Sequence, residues 1–165
     1  MSYLQRLWAV WRIEYIEMAS KRKPECIFCK LPSESDEKAL ILMRSERTFV
    51  LMNRYPYNPG HLMVAPYSHV SSLELLDEEE TKELWLSVNK AIKVLRKALE
   101  PDGFNVGVNI GRVAGAGFEN HVHVHIVPRW NGDTNFMPVI SDTKVISDSL
   151  ESMYRKLRKH FNSLD

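Results

Sequence analysis

The chain has 165 residues, with 22 Lys and Arg against 21 Asp and Glu, so its formal net charge is +1. So balanced a charge makes no strong field for a nucleic acid or a membrane surface, and we predict neither as a partner. The two cysteines are too few for a disulfide framework, and no apolar run approaches the ~20 residues of a membrane-spanning helix. Because the charged N-terminus also lacks the apolar run of a signal peptide, we expect one cytoplasmic domain over residues 1–165.

An amphipathic helix is predicted within residues 1–20. Its apolar positions recur at helical spacing: Leu4, Trp8, Trp11, Tyr15 and Met18. Tryptophans on such a helix are more often packing anchors than ligand contacts, and they also suit a subunit interface.

The pair Cys26 and Cys29 forms a Cys-x-x-Cys motif, which is typical of half a zinc site or of a redox pair. The redox alternative requires a helix that begins at the motif, but Pro32 would end such a helix almost at once. The metal interpretation is therefore favoured. Zinc would need two more ligands, and since the chain has no other cysteine, these must be histidines.

Short strands are predicted next, at residues 39–43 and 48–53 around a polar turn and at residues 61–65. A helix then follows from Asp77 to about Leu99, with Asp77 as N-cap and Glu80 at the capping-box position. Its predicted core stripe comprises Leu84, Val88, Ile92, Leu95 and Leu99.

A further strand is predicted at residues 104–110, and a glycine-rich segment follows at residues 111–117. Glycines let backbone amides approach an anion closely, although a plain flexible loop has the same composition. The segment directly precedes the histidines, so the sequence predicts amides beside imidazoles, a combination suited to phosphate chemistry.

Residues 120–129 contain three of the six histidines at strict two-residue spacing. In a strand, His121, His123 and His125 share one face, while the residues between them face the core. The outer two histidines would lie about 13 Å apart along the backbone, too far for all three to bind one metal. We therefore predict a row of imidazoles along a substrate, with a two-histidine metal chelate as the alternative. Pro128 predicts a strand end or a sheet edge.

The sequence then predicts a loop at residues 130–136 and a last amphipathic helix at residues 145–161. The inward positions of that helix are Ile146, Leu150, Met153, Leu157 and Phe161. Five mostly antiparallel strands with helices packed on one side describe an α+β domain, with a core at residues 26–130 and a C-terminal loop and helix at residues 131–165.

The segment His121-Val122-His123-Val124-His125-Ile126-Val127 resembles the motif of the histidine triad superfamily of nucleotidyl hydrolases and transferases. The resemblance extends to Asn53-Arg54-Tyr55-Pro56 and Pro59-Gly60-His61, and it covers residues 26–130. Two further segments are similar to prokaryotic diadenosine tetraphosphate phosphorylases. One comprises Leu7-Trp8, Arg12 and Tyr15-Ile16, and the other comprises residues 128–136.

The resemblance implies a homodimer in which two five-stranded sheets form one ten-stranded sheet. It also implies that His123 is the nucleophile, which attacks the α-phosphorus and becomes a nucleotidyl-histidine. His125 would orient the same phosphate, with His121 completing the triad. The oxygens of that phosphate would be bound by Asn109 and by amides near Ala116 and Gly117.

For the nucleoside, the resemblance implies that Asn53 binds the ribose and that Leu51 and Met63 wall the base. His61 would either touch the ligand or hold the hydrogen-bond network of the site together. Zinc-containing members imply one structural zinc, whose ligands would be Cys26, Cys29, His69 and His121. No organic cofactor is expected.

The expected activity is cleavage of dinucleoside polyphosphates such as diadenosine tetraphosphate, with transfer of the nucleotide to phosphate and with the adenine nucleotides ADP and ATP as products; hydrolysis with release of AMP is the alternative. The loop at residues 116–120 departs from members with hydrolase activity, which often have Ser, Thr or Gln there, so the sequence leaves both water and phosphate open as the acceptor. The alternatives are a hydrolase of nucleoside phosphoramidates, a nucleotide-binding sensor, and a zinc protein in which every histidine serves metal.

Overall fold

The structure, a computed structural model, describes residues 26–135, 137–141, 146 and 148–163. The predicted N-terminal helix, with Trp8 and Trp11, therefore lies outside the described residues. The described strands are β1 Ile41–Arg44, β2 Thr48–Met52, β3 Leu62–Pro66, β4 Gly103–Val108 and β5 Val124–Arg129. The described α-helices are α1 Ile27–Lys30, α2 Asp36–Ala39, α3 Glu78–Leu99, α4 Met137–Ser141 and α5 Leu150–Asn162.

The strands form one five-stranded antiparallel sheet in the order β1-β2-β3-β5-β4. The predicted α+β architecture is thereby confirmed. The chain enters the sheet two residues later than predicted, at Ile41, because Leu40 adopts a left-handed conformation with φ 57° and ends the preceding helix. As predicted, α1 is only one turn long, because Pro32, two residues after Lys30, has no amide hydrogen with which to continue the helix.

Residue alternation along the strands separates two apolar layers. One layer packs β1, β2, β3 and β5 against the long helix α3 and the C-terminal helix α5, and its members include Val50, Val64, Ile126, Leu84 and Leu157. The other layer, on the opposite face, consists of Phe28, Ala39, Ile41, Phe49, Leu51, Met63 and Ala65. The helices of the first layer thus hold the sheet rigid, while the second layer forms the floor of the site described below.

The ends of α3 are those that the sequence predicts. Asp77 accepts a hydrogen bond from the backbone amide of Glu80 at 2.7 Å, and the Glu80 carboxylate accepts one from the Asp77 amide at 3.1 Å. This capping box satisfies two amides that the helix leaves unpaired. The predicted stripe is also confirmed: Leu84, Val88 and Leu95 are buried, and Ile92 and Leu99 pack against the same layer.

The histidine segment differs from the predicted continuous strand, because β5 begins only at Val124. Its neighbour β3 ends at Pro66, which has no amide hydrogen with which to extend the ladder. Other bonds hold the preceding residues instead. The carbonyl of Pro66 accepts a hydrogen bond from His121 Nε2 at 2.9 Å, and the Val122 amide donates to the Val70 carbonyl at 2.7 Å.

Pro128 is the penultimate residue of β5, which agrees with the predicted strand end, but β5 is an interior strand, so the alternative of a sheet edge was wrong. β5 runs between β3 and β4, and it continues one residue past Pro128. The proline is tolerated because β3 pairs only as far as Ile126. Beyond that point a side chain replaces the neighbouring strand, and Asn58 Nδ2 donates to the Pro128 carbonyl at 3.0 Å.

The last helix begins at Leu150 instead of residue 145, because Ser149 caps it by accepting a hydrogen bond from the Ser152 amide at 3.1 Å. Its predicted apolar face is otherwise confirmed, with Met153, Leu157 and Phe161 buried. Among the helices of the described ranges, we find none with the length and apolarity needed to cross a membrane.

Gly60 is required by both its conformation and its surroundings. Its φ is +74°, and a Cβ atom there would lie 2.4 Å from Leu99 Cδ1 and 3.3 Å from Leu95 Cδ2. We expect Gly60→Ala to lower the free energy of unfolding by about 1–3 kcal/mol, measured by urea denaturation. Gly103→Ala is the matched control, because a Cβ there meets nothing within 4 Å. Equal stability of the two variants would contradict this account of Gly60.

Candidate active site and metal centre

The four residues predicted to bind zinc lie together. Cys26 precedes α1, Cys29 lies within it, His69 follows β3, and His121 precedes β5, yet their ligand atoms all lie within 4.8 Å of one another. Cys26 Sγ is 3.3 Å from His121 Nδ1, and Cys29 Sγ is 3.2 Å from His69 Nδ1. Sulfur and nitrogen ligands of one tetrahedral zinc are about 3.5 Å apart, as follows from bond lengths of roughly 2.3 and 2.0 Å. The donor set therefore fits a Cys2His2 metal site.

A second contact orients His121 for this role. Because its Nε2 donates to the Pro66 carbonyl, a neutral ring has no proton on Nδ1, and the Nδ1 lone pair faces the two sulfurs. Metal-binding histidines in proteins commonly have such a partner on the other nitrogen. His121 is 1% exposed, so this contact also satisfies a buried polar group.

A cavity of 330 Å³ opens beside this centre, over the second apolar layer. Its walls are mainly apolar and aromatic, and the side chains of His123 and His125 reach into it. Of the described residues that line it, Arg54 alone is cationic and none is acidic. Such a lining suits a ligand with a flat apolar part and an anionic part.

His123 lies on the floor of the cavity, with its ring 4.5 Å from the ring of Phe28. Its Nδ1 donates to the carbonyl of His121 at 2.9 Å. In the neutral ring the lone pair must then be on Nε2. Burial lowers the pKa of His123 below its ordinary value, although the hydrogen bond to His121 opposes that shift.

His125 has the opposite tautomer, which a chain of hydrogen bonds determines. The backbone amide of Tyr57 donates to His61 Nδ1 at 3.1 Å, so the proton of a neutral His61 is on Nε2. That Nε2 lies 3.0 Å from His125 Nδ1, which must accept, and the proton of His125 is therefore on its Nε2. His61 was predicted either to touch ligand or to support this network, and its side chain is placed behind His125, 1% exposed and outside the cavity lining.

The adjacent histidines thus present different groups to one ligand. His123 offers an unprotonated nitrogen, the form in which an imidazole can act as a nucleophile, while His125 offers an N–H donor, which suits an anionic oxygen. Their ring centres are 4.8 Å apart, close enough for both to contact one phosphoryl group.

Acid should destabilise the protein through His61. Burial, together with the nearby His125 and His123, lowers the pKa of His61 from 6.5 to about 3. Between these values the unfolded chain binds a proton that the folded chain does not, so stability falls as pH falls below 6.5, by up to about 1.4 kcal/mol per pH unit. We expect His61→Gln to show a smaller loss of stability than wild type between pH 7 and pH 5 by urea denaturation. Parallel losses in both proteins would exclude His61 as the source.

The other predicted ligand contacts are placed unequally. Leu51, Asn53, Met63 and Gly117 line the cavity, as the resemblance implies, but Ala116 and Asn109 are not among its lining residues. Gly115, which also lines it, belongs to the predicted glycine-rich segment, but sequence reasoning did not single out Phe28, Tyr57 or Phe118, which line it as well. Phe28 lies between the two cysteines and Tyr57 between Asn53 and His61, so their positions inside motifs were the available signal.

The loop at residues 53–61 is held at both ends. The Tyr55 amide donates to Asn53 Oδ1 at 2.9 Å, and the His61 amide donates to the Asn58 carbonyl at 3.1 Å. Asn58, 3% exposed, also donates to Asp133 at 2.7 Å. Asp133 in turn pairs with Arg129 at 2.6 Å, a contact that holds the pKa of the carboxyl well below its usual range. The segment after the triad therefore supports this loop.

Comparisons with known proteins agree with this geometry. The HIT domain model matches residues 34–132. The chain is 44% identical over 161 residues to the AP-4-A phosphorylase of Mycobacterium tuberculosis, covering 93% of this chain and 83% of that protein. It is 31% identical over 128 residues to the asymmetrical bis(5'-nucleosyl)-tetraphosphatase of Schizosaccharomyces pombe, covering 77% of this chain and 68% of that protein.

A solved structure shows the same fold. It is the zinc-bound histidine triad family protein of Mycobacterium smegmatis, which aligns with a TM-score of 0.66 at 23% identity and covers 84% of this chain and 94% of that one. The family model matches more than half of the 165 residues and includes all three triad histidines. On this match, and with the fold and histidine geometry described above, the chain belongs to the HIT family.

Proposed function

We propose that this protein is an enzyme that cleaves diadenosine polyphosphates at an α-phosphate and transfers the nucleotide to inorganic phosphate. The observation that supports this most directly is the pair of opposite tautomers at His123 and His125, within a cavity that has apolar walls and no acidic residue among the described residues that line it. The relative from Mycobacterium tuberculosis, named a phosphorylase, supports the choice of substrate and acceptor.

In the first half-reaction, the lone pair of His123 Nε2 attacks the α-phosphorus. A P–N bond forms, and the P–O bond to the polyphosphate breaks with its electron pair on the leaving oxygen, so ATP leaves from diadenosine tetraphosphate. His125 Nε2–H donates to an oxygen of the same phosphoryl group and stabilises its charge. The backbone near Gly115 and Gly117, which line the cavity, suits the remaining oxygens.

The nucleoside has an apolar site beside this group. Leu51 and Met63, paired across β2 and β3, form its floor, and Phe28 and Phe118 form a wall with ring centres 6.0 Å apart. Asn53 also lines the cavity, and we assign it to the ribose hydroxyls. An aromatic and aliphatic wall with one amide is a common arrangement for binding a nucleoside.

We assign zinc to Cys26, Cys29, His69 and His121. The metal would link α1 to the segment before β5, so its role is structural. We also propose a homodimer in which the edge strand β4 pairs with its copy into a ten-stranded sheet. The support is that β4 ends the sheet and that Val106 there is 40% exposed. A monomer by light scattering would refute the dimer.

We place the protein in the cytoplasm, because reduced thiols, which a Cys2His2 zinc site requires, are typical of that compartment.

Incubation with diadenosine tetraphosphate, with and without inorganic phosphate, tests the activity. We expect ADP and ATP only when phosphate is present, read by chromatography of the nucleotides. AMP and ATP without phosphate would make water the acceptor, which is the second candidate and the one favoured by the tetraphosphatase relative. Absence of any product would favour phosphoramidate substrates or a nucleotide-binding role.

A further inference from the structure

Tyr57 stands at the opposite end of the histidine pair from Phe28. Phe28 packs on His123, whereas the Tyr57 ring lies nearly parallel to His125, at 26° with 6.1 Å between ring centres, and covers His61 at 4.7 Å. It lines the cavity and is 38% exposed. The rings therefore follow one another in the order Phe28, His123, His125, Tyr57. The proposed nucleoside site lies at the Phe28 end of this row, and Tyr57 lies at the other end.

The Tyr57 hydroxyl is available to a ligand. No described residue forms a hydrogen bond with it. Tyr57 is held by its backbone amide, which donates to His61, and by the contacts of its ring with the rings of His61 and His125. The loop around it is anchored through Asn53 and Asn58, so the ring is positioned before any ligand arrives. An exposed aromatic on an anchored loop at a cavity loses little entropy on binding.

We propose that the Tyr57 hydroxyl, beside His125, forms the subsite for the acceptor phosphate, while His125 Nε2–H stays on the α-phosphoryl group. This inference rests on the proposed function and specifies where the second substrate binds. In the first step, the phosphate next to the α-phosphorus departs from the side opposite His123. In the second step, the incoming phosphate attacks the α-phosphorus from that same side. The two phosphates therefore occupy the same place in turn. One donor beside His125 thus serves both half-reactions.

The second step balances without a further reactant. An oxygen of hydrogen phosphate attacks the phosphorus of the nucleotidyl-histidine, a P–O bond forms, and the P–N bond breaks with its electron pair returning to His123 Nε2. The proton of hydrogen phosphate stays on the terminal phosphate of ADP. Water as acceptor must instead lose a proton during attack, so a subsite that binds phosphate but supplies no base favours phosphorolysis.

The dependence of ADP formation on phosphate tests this subsite. Because phosphate reacts only with the nucleotidyl-histidine, kcat/KM for phosphate at saturating diadenosine tetraphosphate does not depend on how fast that intermediate forms. We expect Tyr57→Phe, which keeps the ring over His61 and removes the hydroxyl, to lower kcat/KM for phosphate about tenfold or more, as for a lost hydrogen bond to a charged group. Tyr67→Phe is the matched control, since Tyr67 packs on Phe49 outside the cavity lining.

A wild-type kcat/KM for phosphate in Tyr57→Phe would overturn the subsite and leave the proposed function intact. A fall in kcat/KM for diadenosine tetraphosphate at an unchanged kcat/KM for phosphate would overturn it equally, because that result marks a structural role only. If wild type itself made AMP at every phosphate concentration and no ADP, both the subsite and phosphorolysis would fail.

Discussion

Replacing His123 with alanine is expected to reduce turnover of diadenosine tetraphosphate by about four orders of magnitude or more. The variant lacks the nitrogen that would bond to phosphorus, and His125 cannot replace it, because its Nε2 is protonated and its Nδ1 accepts from His61. Nucleotide binding should weaken only a few-fold, since the apolar walls and His125 remain. Nucleotide chromatography measures the first quantity and calorimetry the second.

A radiolabelled α-phosphate gives an independent measurement of the same step. Wild-type protein quenched during turnover should retain label in an acid-labile bond, and His123→Ala should retain none. His160→Ala is the control, because His160 lies on α5 and contacts the Lys156 carbonyl away from the cavity. Cleavage by His123→Ala at the wild-type rate would refute the nucleophile, whereas binding without turnover in wild type would indicate a sensor.

Loss of a metal ligand should have the second largest effect, on both stability and activity. We expect wild type to contain one zinc per chain and Cys29→Ser to contain little. Its melting temperature should fall by about 5–10 °C, the shift that corresponds to roughly 2–3 kcal/mol in a chain of this size. Metal analysis and thermal denaturation measure these two quantities.

The activity of Cys29→Ser should fall as well, because the metal centre and the nucleophile share backbone. His121 contributes a ring to the metal site and its carbonyl to His123 Nδ1, and Phe28, between the cysteines, packs on the His123 ring. His160→Ala should keep its zinc and its melting temperature. More than one zinc per chain in wild type would instead support the alternative in which every histidine binds metal. Full activity in zinc-free protein would show that the metal centre does not support the nucleophile.

Local patterns in the sequence determined most of the elements. The two-residue spacing predicted neighbouring imidazoles, and His123 and His125 both line the cavity. The Asp77 and Glu80 pair predicted the start of α3, and the proline after α1 predicted its single turn. These features depend on backbone geometry within a few residues, so the sequence alone is sufficient for them. The extent of β5 was not predictable in this way, because it depends on where the neighbouring strand β3 ends.

Only the tertiary structure decided which groups meet. His61 and His125 are 64 residues apart, and their hydrogen bond, which sets the tautomer of His125, exists because β3 and β5 pair in one particular register. Phe28 and Tyr57 reach opposite ends of the histidine pair for the same reason, through contacts between distant segments. Periodicity predicts the face on which a side chain lies, but not its neighbour across the sheet, and the proton positions of this site depend on those neighbours.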